Sequence, residues 1–326
     1  MDEDDFSSGG QKQFDVPEPP SGWSMAGTLI GGLLAANAVG GLLMWLAKAL
    51  SGAQNPGLGL FVGSAFIVVP LVMGFLSTLV WRKLPLKLGS LMLLSLANAA
   101  LGLALAAVFL REGVICLLMA APLVWGFLLL GTLIGWRVVS PQTPRGLRVS
   151  AVPVLVGMIA LDCLSSHGYE RVVETRRVIS APPAKVFPHV VAFERIKEPS
   201  DFWLCKLGLP APDRVTVNGT RRDCVFTGNL VFQEKITERV PNKRLTFEIV
   251  RQPDHPEILG HARVLQGQME LIDNGNGTTT LIGRSRYALY VHPAWYFDRW
   301  AQAVGHGVHE RVFDHIERLS MPPGPQ

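Results

Sequence analysis

Four long runs without any Asp, Glu, Lys or Arg dominate the first half of the sequence. They cover Met25–Ala47, Leu58–Val80, Leu88–Leu110 and Val114–Trp136, and each is about 23 residues long. At a rise of about 1.5 Å per residue, a helix of this length crosses a hydrocarbon core about 30 Å thick. Lipid offers the backbone no hydrogen-bond partners, and a single helix can pair its own backbone N–H and C=O groups there. The runs therefore predict four transmembrane helices, and the lipid bilayer is the first expected partner.

A fifth apolar run, Val149–Leu164, is shorter, at about 16 residues. Arg148 precedes it and Asp162 lies near its end. Local thinning of the bilayer and snorkelling of the flanking charges allow so short a run to span. We predict that it crosses the membrane; the alternative is an interfacial or half-inserted helix.

Basic residues in the connections predict the orientation. The connections after the second and fourth runs hold six of them: Arg82, Lys83, Lys87, Arg137, Arg145 and Arg148. The two opposite connections hold only Lys48 and Arg111. Because basic loops stay in the cytoplasm, we expect a multi-pass protein of the cell (inner) membrane with its N-terminus inside. Five spans then place the rest of the chain on the outer, periplasmic side, whereas four spans would leave it in the cytoplasm.

Charge becomes plentiful after Tyr169, which indicates a soluble domain. The predicted organisation is a disordered tail over 1–22, a membrane domain with four or five helices over 23–165, a soluble domain over 169–320 and a short tail over 321–326. The net charge of +4 is modest, and no nucleic-acid-binding motif is present. We therefore expect no nucleic-acid partner.

The pattern of the soluble domain predicts an α+β fold. A strand over Arg171–Ile179 is followed by two short helical pieces, near 181–189 and near Phe193–Lys197, and then by about six more strands. The last two strands flank the turn signal Asn274–Gly277. A long amphipathic helix, from Pro293 to Leu319, closes the chain. This order predicts a curved antiparallel sheet around a long C-terminal helix.

That order, with the residues that carry it, resembles the SRPBCC superfamily of START-like, Bet v 1-like and polyketide cyclase-like proteins, whose fold is the helix grip. The resemblance rests on Val178–Phe187, on Glu234–Phe247 and on the closing helix. More narrowly, the chain is similar to bacterial multi-pass proteins that end in such a domain, and this likeness rests on Gly267–Leu271, on Gly277–Tyr287 and on Tyr296 with Trp300. The resemblance implies a hydrophobic cavity between sheet and helix. It implies no single reaction, because members of the superfamily include carriers, receptors and enzymes.

Candidate residues for that cavity come from the closing helix and from aromatic positions. Val304 and Val308 form the apolar stripe of the helix, and Arg311 and His315 fall on the same inward face, where they could bind a ligand carboxylate or phosphate or pair with an acidic strand residue. The complete set of candidate ligand-binding residues is Trp203, Phe247, Trp300, Val304, Val308, Arg311 and His315.

Other reactive side chains are given structural roles. His306 and His309 have a spacing that can chelate a metal, but helical counting places them away from the Val304/Val308 stripe, and we expect no metal there. The strand glutamates Glu234, Glu238, Glu248 and Glu270 occupy alternating positions, which usually face solvent. We therefore expect Glu234 on a solvated face of the sheet. An outer location would permit a disulfide between Cys205 and Cys224.

No catalytic motif occurs in the sequence, so we name no catalytic residue and no cofactor, and we favour a non-enzymatic role. The predicted function is membrane-anchored binding or transport of a hydrophobic small molecule or lipid. The alternatives are a cyclase- or hydrolase-like enzyme acting on an apolar substrate, and a structural or signalling module without a ligand.

Overall fold

The structure, a computed structural model, describes most of the apolar first half of the chain and most of the second half. The described residues are 22–52, 66–82, 84–110, 113–139, 169–255, 257, 262–291 and 293–321. Residues 1–21 of the predicted tail over 1–22, and the fifth apolar run, Val149–Leu164, lie outside them.

Within the described parts of the first half, three helices are long and apolar enough to cross a membrane: Ser24–Trp45, Leu88–Phe109 and Val114–Val138. They match the first, third and fourth predicted runs. The second run is described as a shorter helix of 14 residues, because part of that run lies outside the described residues. The helix bounds are α1, Gly22–Gly52; α2, Val68–Trp81; α3, Leu88–Leu105, continued by a π-helical turn over Ala106–Leu110; and α4, Val114–Val139.

A buried polar chain crosses the centre of this bundle. Nδ2 of Asn37 in α1 donates to Oδ1 of Asn98 in α3 at 2.6 Å, and Nδ2 of Asn98 donates to Oγ of Ser77 in α2 at 2.7 Å. The three side chains are buried among apolar neighbours. In lipid, such interhelical hydrogen bonds hold helices together where no hydrophobic force acts between them.

The second half forms one antiparallel sheet that is seven-stranded over the residues described. The strand order is β1-β7-β6-β5-β4-β3-β2, so only the pairing of β1 with β7 is non-sequential. The elements are β1, Tyr169–Ile179; α5, Pro183–Val191; α6, Trp203–Lys206; β2, Pro212–Asn218; β3, Arg221–Phe226; β4, Leu230–Val240; β5, Arg244–Arg251; β6, Ala262–Asp273; β7, Thr279–Leu289; and α7, Ala294–Ser320.

One predicted element is wrong. Phe193–Lys197 is not helical, because Phe193 exchanges backbone hydrogen bonds with Val215 of β2, at 3.2 and 3.0 Å. The short helical turn comes later, at α6. The segment therefore extends along β2, an edge strand of the sheet.

The helix α7 lies in the curve of the sheet and carries the core of the domain. Val312, Phe313 and Ile316 are buried against α5 and the inner faces of the strands. At Gly305 a Cβ atom would lie 2.7 Å from Cγ1 of Val173, so glycine lets α7 approach β1 closely. A long C-terminal helix held by an antiparallel sheet fits the predicted helix-grip fold.

Candidate functional site

A cavity of about 300 Å³ lies between α7 and the sheet. Its lining is predominantly apolar and includes four residues predicted for it: Phe247, Trp300, Val304 and Val308. Strand alternation turns Phe247 inward, and a spacing of four residues places Trp300, Val304 and Val308 on one face of α7. The predicted apolar floor of the cavity is therefore present in the fold.

The other three predicted residues lie outside the lining. Trp203 is about half exposed, at 48%, and its ring packs edge-on against that of Trp300, with 6.5 Å between centroids. Nε of Arg311 donates to the carbonyl of Pro212 at 2.9 Å. His315 is buried against the ring of Phe193, and this burial lowers the pKa of its imidazole. Ligand binding by the seven predicted residues stays a prediction.

A buried ion pair between Arg222 and Glu234 lines the cavity on the side of β3 and β4. This pair is not among the predictions made from the sequence. Nη1 of Arg222 donates to a carboxylate oxygen of Glu234, and Nε of Arg222 donates to the carbonyl of Val191 at 3.3 Å. The guanidinium carbon also lies 4.3 Å from the ring centroid of Phe247. Burial raises the pKa of Glu234, and the Arg222 charge offsets part of that rise.

The expectation of a solvated Glu234 is wrong, and a signal for its burial was available. In β4 Glu234 shares its side of the strand with Phe232 and Ile236, which are both buried. In β3 Arg222 shares its side with Cys224 in the same way. When two neighbouring strands each carry a charge at a position that faces the apolar side of the sheet, and the two charges are opposite, the pattern indicates a buried ion pair.

The expectation that His309 points away from the cavity is also wrong. His309 is only 3% exposed and lines the cavity. Its Nδ1 lies 2.9 Å from Oγ1 of Thr175, and its Nε2 lies 2.8 Å from Oγ of Ser285. Exposed His306 reaches the same threonine hydroxyl, at 2.8 Å. The sheet surrounds α7 over a wider arc than its apolar stripe, so this side of the helix is buried as well.

Burial governs the chemistry of His309. Removal from water, with a smaller contribution from the neighbouring His306, lowers the pKa of His309 to about 4. The ring is therefore neutral near pH 7, and its two nitrogens find partners in two hydroxyl groups. Tyr287, another lining residue, is similarly satisfied, because its hydroxyl donates to Asp298 at 2.6 Å and accepts from Gln302 at 2.7 Å.

One wall of the cavity comes from the apolar helices of the first half of the chain. Phe66, just before α2, and Cys116, Leu117 and Met119 in the first turns of α4 all line it. Glu257, Tyr296 and Phe297 of the domain make contacts that dock it here. The Glu257 carboxylate accepts from the backbone N–H groups of Ile115 and Cys116, each at 3.0 Å.

The other two docking contacts come from the start of α7. The hydroxyl of Tyr296 donates to the carbonyl of Met119 at 2.6 Å, and the rings of Phe66 and Phe297 pack with centroids 5.1 Å apart. At Gly113 a Cβ atom would lie 2.3 Å from a Glu257 carboxylate oxygen, so glycine is needed beside this contact. We call this contact region the junction; it depends on tertiary docking, and no local sequence signal indicates it.

The disulfide that an outer location would permit is absent, and Cys205 and Cys224 are both free thiols, as in the alternative of two unrelated thiols. Cys224 is buried beside the cavity, and burial raises the pKa of its thiol to about 12, so it stays protonated and unreactive. Among the residues described, no group of three or more His, Cys, Asp or Glu side chains could hold a metal ion.

No protein-family model matches the chain, and no curated protein matches it. Solved structures that are similar include truncated norcoclaurine synthase from Thalictrum flavum, at 11% identity over 48% of this chain and 96% of that one, with a TM-score of 0.33. The protein XoxI from Bacillus cereus has 14% identity over 45% and 93%, with a TM-score of 0.32. A conserved protein from Geobacillus kaustophilus has 11% identity over 46% and 95%, with a TM-score of 0.33. The fit to a helix-grip fold rests on the strand order and on the packing of α7.

Proposed function

We propose that this protein binds a hydrophobic small molecule or lipid in the cavity of its helix-grip domain, while its apolar helices anchor it in a membrane. The observation that carries the proposal is the cavity itself, about 300 Å³ and predominantly apolar in its lining. Ligand pockets of this size, with a few placed polar groups, are typical of small-molecule sites. A cavity of this kind also favours ligand binding over a purely structural module with a filled core.

The polar groups of the cavity favour an uncharged portion of the ligand inside it. Arg222 is neutralised by Glu234, and His309 is bonded to Thr175 and Ser285. A charged headgroup placed here would compete with existing bonds and would lose its own hydration. An apolar chain or ring system loses nothing comparable and gains the burial of its surface.

An enzymatic alternative rests on the contact of Ser285 with His309, which both line the cavity. A general base works best with a pKa near the working pH, and a pKa of about 4 makes His309 a weak base near pH 7. A serine activated by so weak a base is a poor nucleophile. The pair therefore suits the fixing of a ligand more than an attack on it.

We also propose that the domain lies on the outer, periplasmic face of the inner membrane. The junction uses the beginnings of α2 and α4, where Phe66, Ile115 and Cys116 lie. The basic residues Arg82 and Arg137 lie at the opposite ends of the same two helices. Because basic ends face the cytoplasm, this arrangement supports a domain on the other side.

Mass spectrometry of extracted ligands tests the binding proposal. The full-length protein is purified in mild detergent beside Val308→Trp, which fills the cavity, and Ala303→Trp, which adds the same indole to an exposed position of α7. Lipids around the membrane helices are expected in equal amounts in all three. We expect one species, near one copy per protein, to persist in the Ala303 variant and to fall at least fivefold in the Val308 variant. Equal extracts from both variants would refute the proposal.

A further inference from the structure

The membrane helices do more than anchor the domain, because they supply part of the cavity wall. Cys116, Leu117 and Met119 come from the first two turns of α4, an apolar helix of 26 residues. Near the same end of the bundle, Val108, Phe109, Val114 and Leu118 expose between 45% and 76% of their surface. In a bilayer such side chains face lipid. The cavity and the lipid-facing surface are therefore separated by little more than the first turns of one helix.

The shape of the cavity suits an extended chain. Its lining follows α7 from Phe297, which touches the junction, to Val312 in the centre of the domain core. The 15 residue steps between them rise roughly 22 Å along the helix. One leaflet contributes about 15 Å to the hydrocarbon core, so the lined length is sufficient to hold the acyl chain of a membrane lipid.

From this geometry we infer that the cavity is loaded directly from the bilayer, through the junction, by the apolar chain of a membrane lipid. The inference rests on the proposed function and names the source of the ligand and its route. Passage through water would expose every methylene of the chain, whereas a route past Phe66 and Leu117 keeps the chain against apolar surface. The headgroup stays outside, because the polar groups that line the cavity are already paired with protein partners.

Photocrosslinking in vesicles tests the route. Full-length protein is reconstituted in phosphatidylcholine vesicles that contain a trace of phosphatidylcholine with a diazirine at the end of one acyl chain. After illumination, mass spectrometry quantifies the label on peptides from β5 and α7, which line the cavity. A second arm delivers a diazirine fatty acid from a cyclodextrin carrier in the water.

Three tryptophan variants identify the entrance. Leu117→Trp and Met119→Trp narrow the junction at two separate positions, and Leu130→Trp places the same bulk farther along α4 at an exposed position. We expect vesicle-derived label in the cavity of the wild-type protein, a loss of at least fivefold in both junction variants, and no change in the Leu130 variant. Melting curves in detergent establish that the variants remain folded.

The possible failures are distinguishable. If label from vesicles is equal in the wild-type protein and in both junction variants, or if only the cyclodextrin arm labels the cavity, the inference is overturned and the binding proposal stands. If neither arm labels the cavity of the wild-type protein, the binding proposal falls with the inference. Label lost in the Leu130 variant as well would refute the junction as the entrance.

Discussion

Acidification should destabilise the soluble domain through His309. An unfolded histidine has a pKa of about 6.5, and burial lowers that of His309 to about 4, so the unfolded state takes up a proton first as the pH falls. Stability from this residue is therefore complete above about pH 6.5 and declines toward pH 4. At pH 5 the unfolded residue is protonated and the folded one is mostly neutral. Each pH unit below the unfolded pKa of about 6.5 costs about 1.36 kcal/mol, and pH 5 lies about 1.5 units below it, so the loss of stability is about 2 kcal/mol.

The assay is urea unfolding of the full-length protein in detergent, followed by tryptophan fluorescence at pH 8 and at pH 5. His309→Gln keeps a hydrogen-bonding side chain but cannot take up the proton. We expect the variant to lose about 2 kcal/mol less than the wild-type protein over this range. His189 and His315, whose pKa values are also lowered by burial, contribute equally to both proteins.

A matched control comes from the exposed neighbour of His309 on α7. His306→Gln removes a contact with the same threonine hydroxyl but leaves the burial of His309 in place. It should therefore keep nearly the full pH dependence of the wild-type protein. If the His309 variant shows the wild-type dependence, or if the His306 variant loses it, the assigned cause is incorrect.

Two further changes test buried polar contacts. Glu234→Ala leaves the Arg222 charge unpaired and should cost about 3–5 kcal/mol of unfolding free energy, whereas Arg222→Met combined with Glu234→Leu should cost far less; equal losses in urea titrations would contradict this. Asn98→Leu removes the centre of the polar chain that joins α1, α2 and α3, and it should lower resistance to unfolding in sodium dodecyl sulfate by about 1 kcal/mol. Unchanged resistance would mean that the chain does not hold the helices together.

Local pattern was sufficient to predict the order of the soluble domain. Strand alternation, the Asn274–Gly277 turn and the apolar stripe of the last helix all have counterparts in the structure. His309 was misplaced because a helical projection assumes one buried face, whereas the sheet buries this helix on more than one side. Phe193 was misplaced because its backbone pairs with an edge strand, which local propensity does not show.

The junction had no counterpart in the sequence for a different reason. Glu257 lies in a connection between strands, and its partners are backbone N–H groups of Ile115 and Cys116, more than 140 positions earlier. Every residue except proline carries a backbone N–H group, so the residue types of a sequence do not indicate which of these groups will bind Glu257. Contacts of this kind follow from the way two folded parts meet, which is decided by their complete surfaces.

Because the cavity wall is shared between two parts of the chain, occupancy and docking are thermodynamically linked. A ligand that touches both Leu117 of α4 and Val308 of α7 binds the docked arrangement more tightly than the separated one. By reciprocity, the same free energy holds the domain against the apolar helices of the first half when the site is filled. A fragment limited to residues 169–320 lacks one wall, so an affinity measured on it would describe an open groove, weaker than the site of the whole protein.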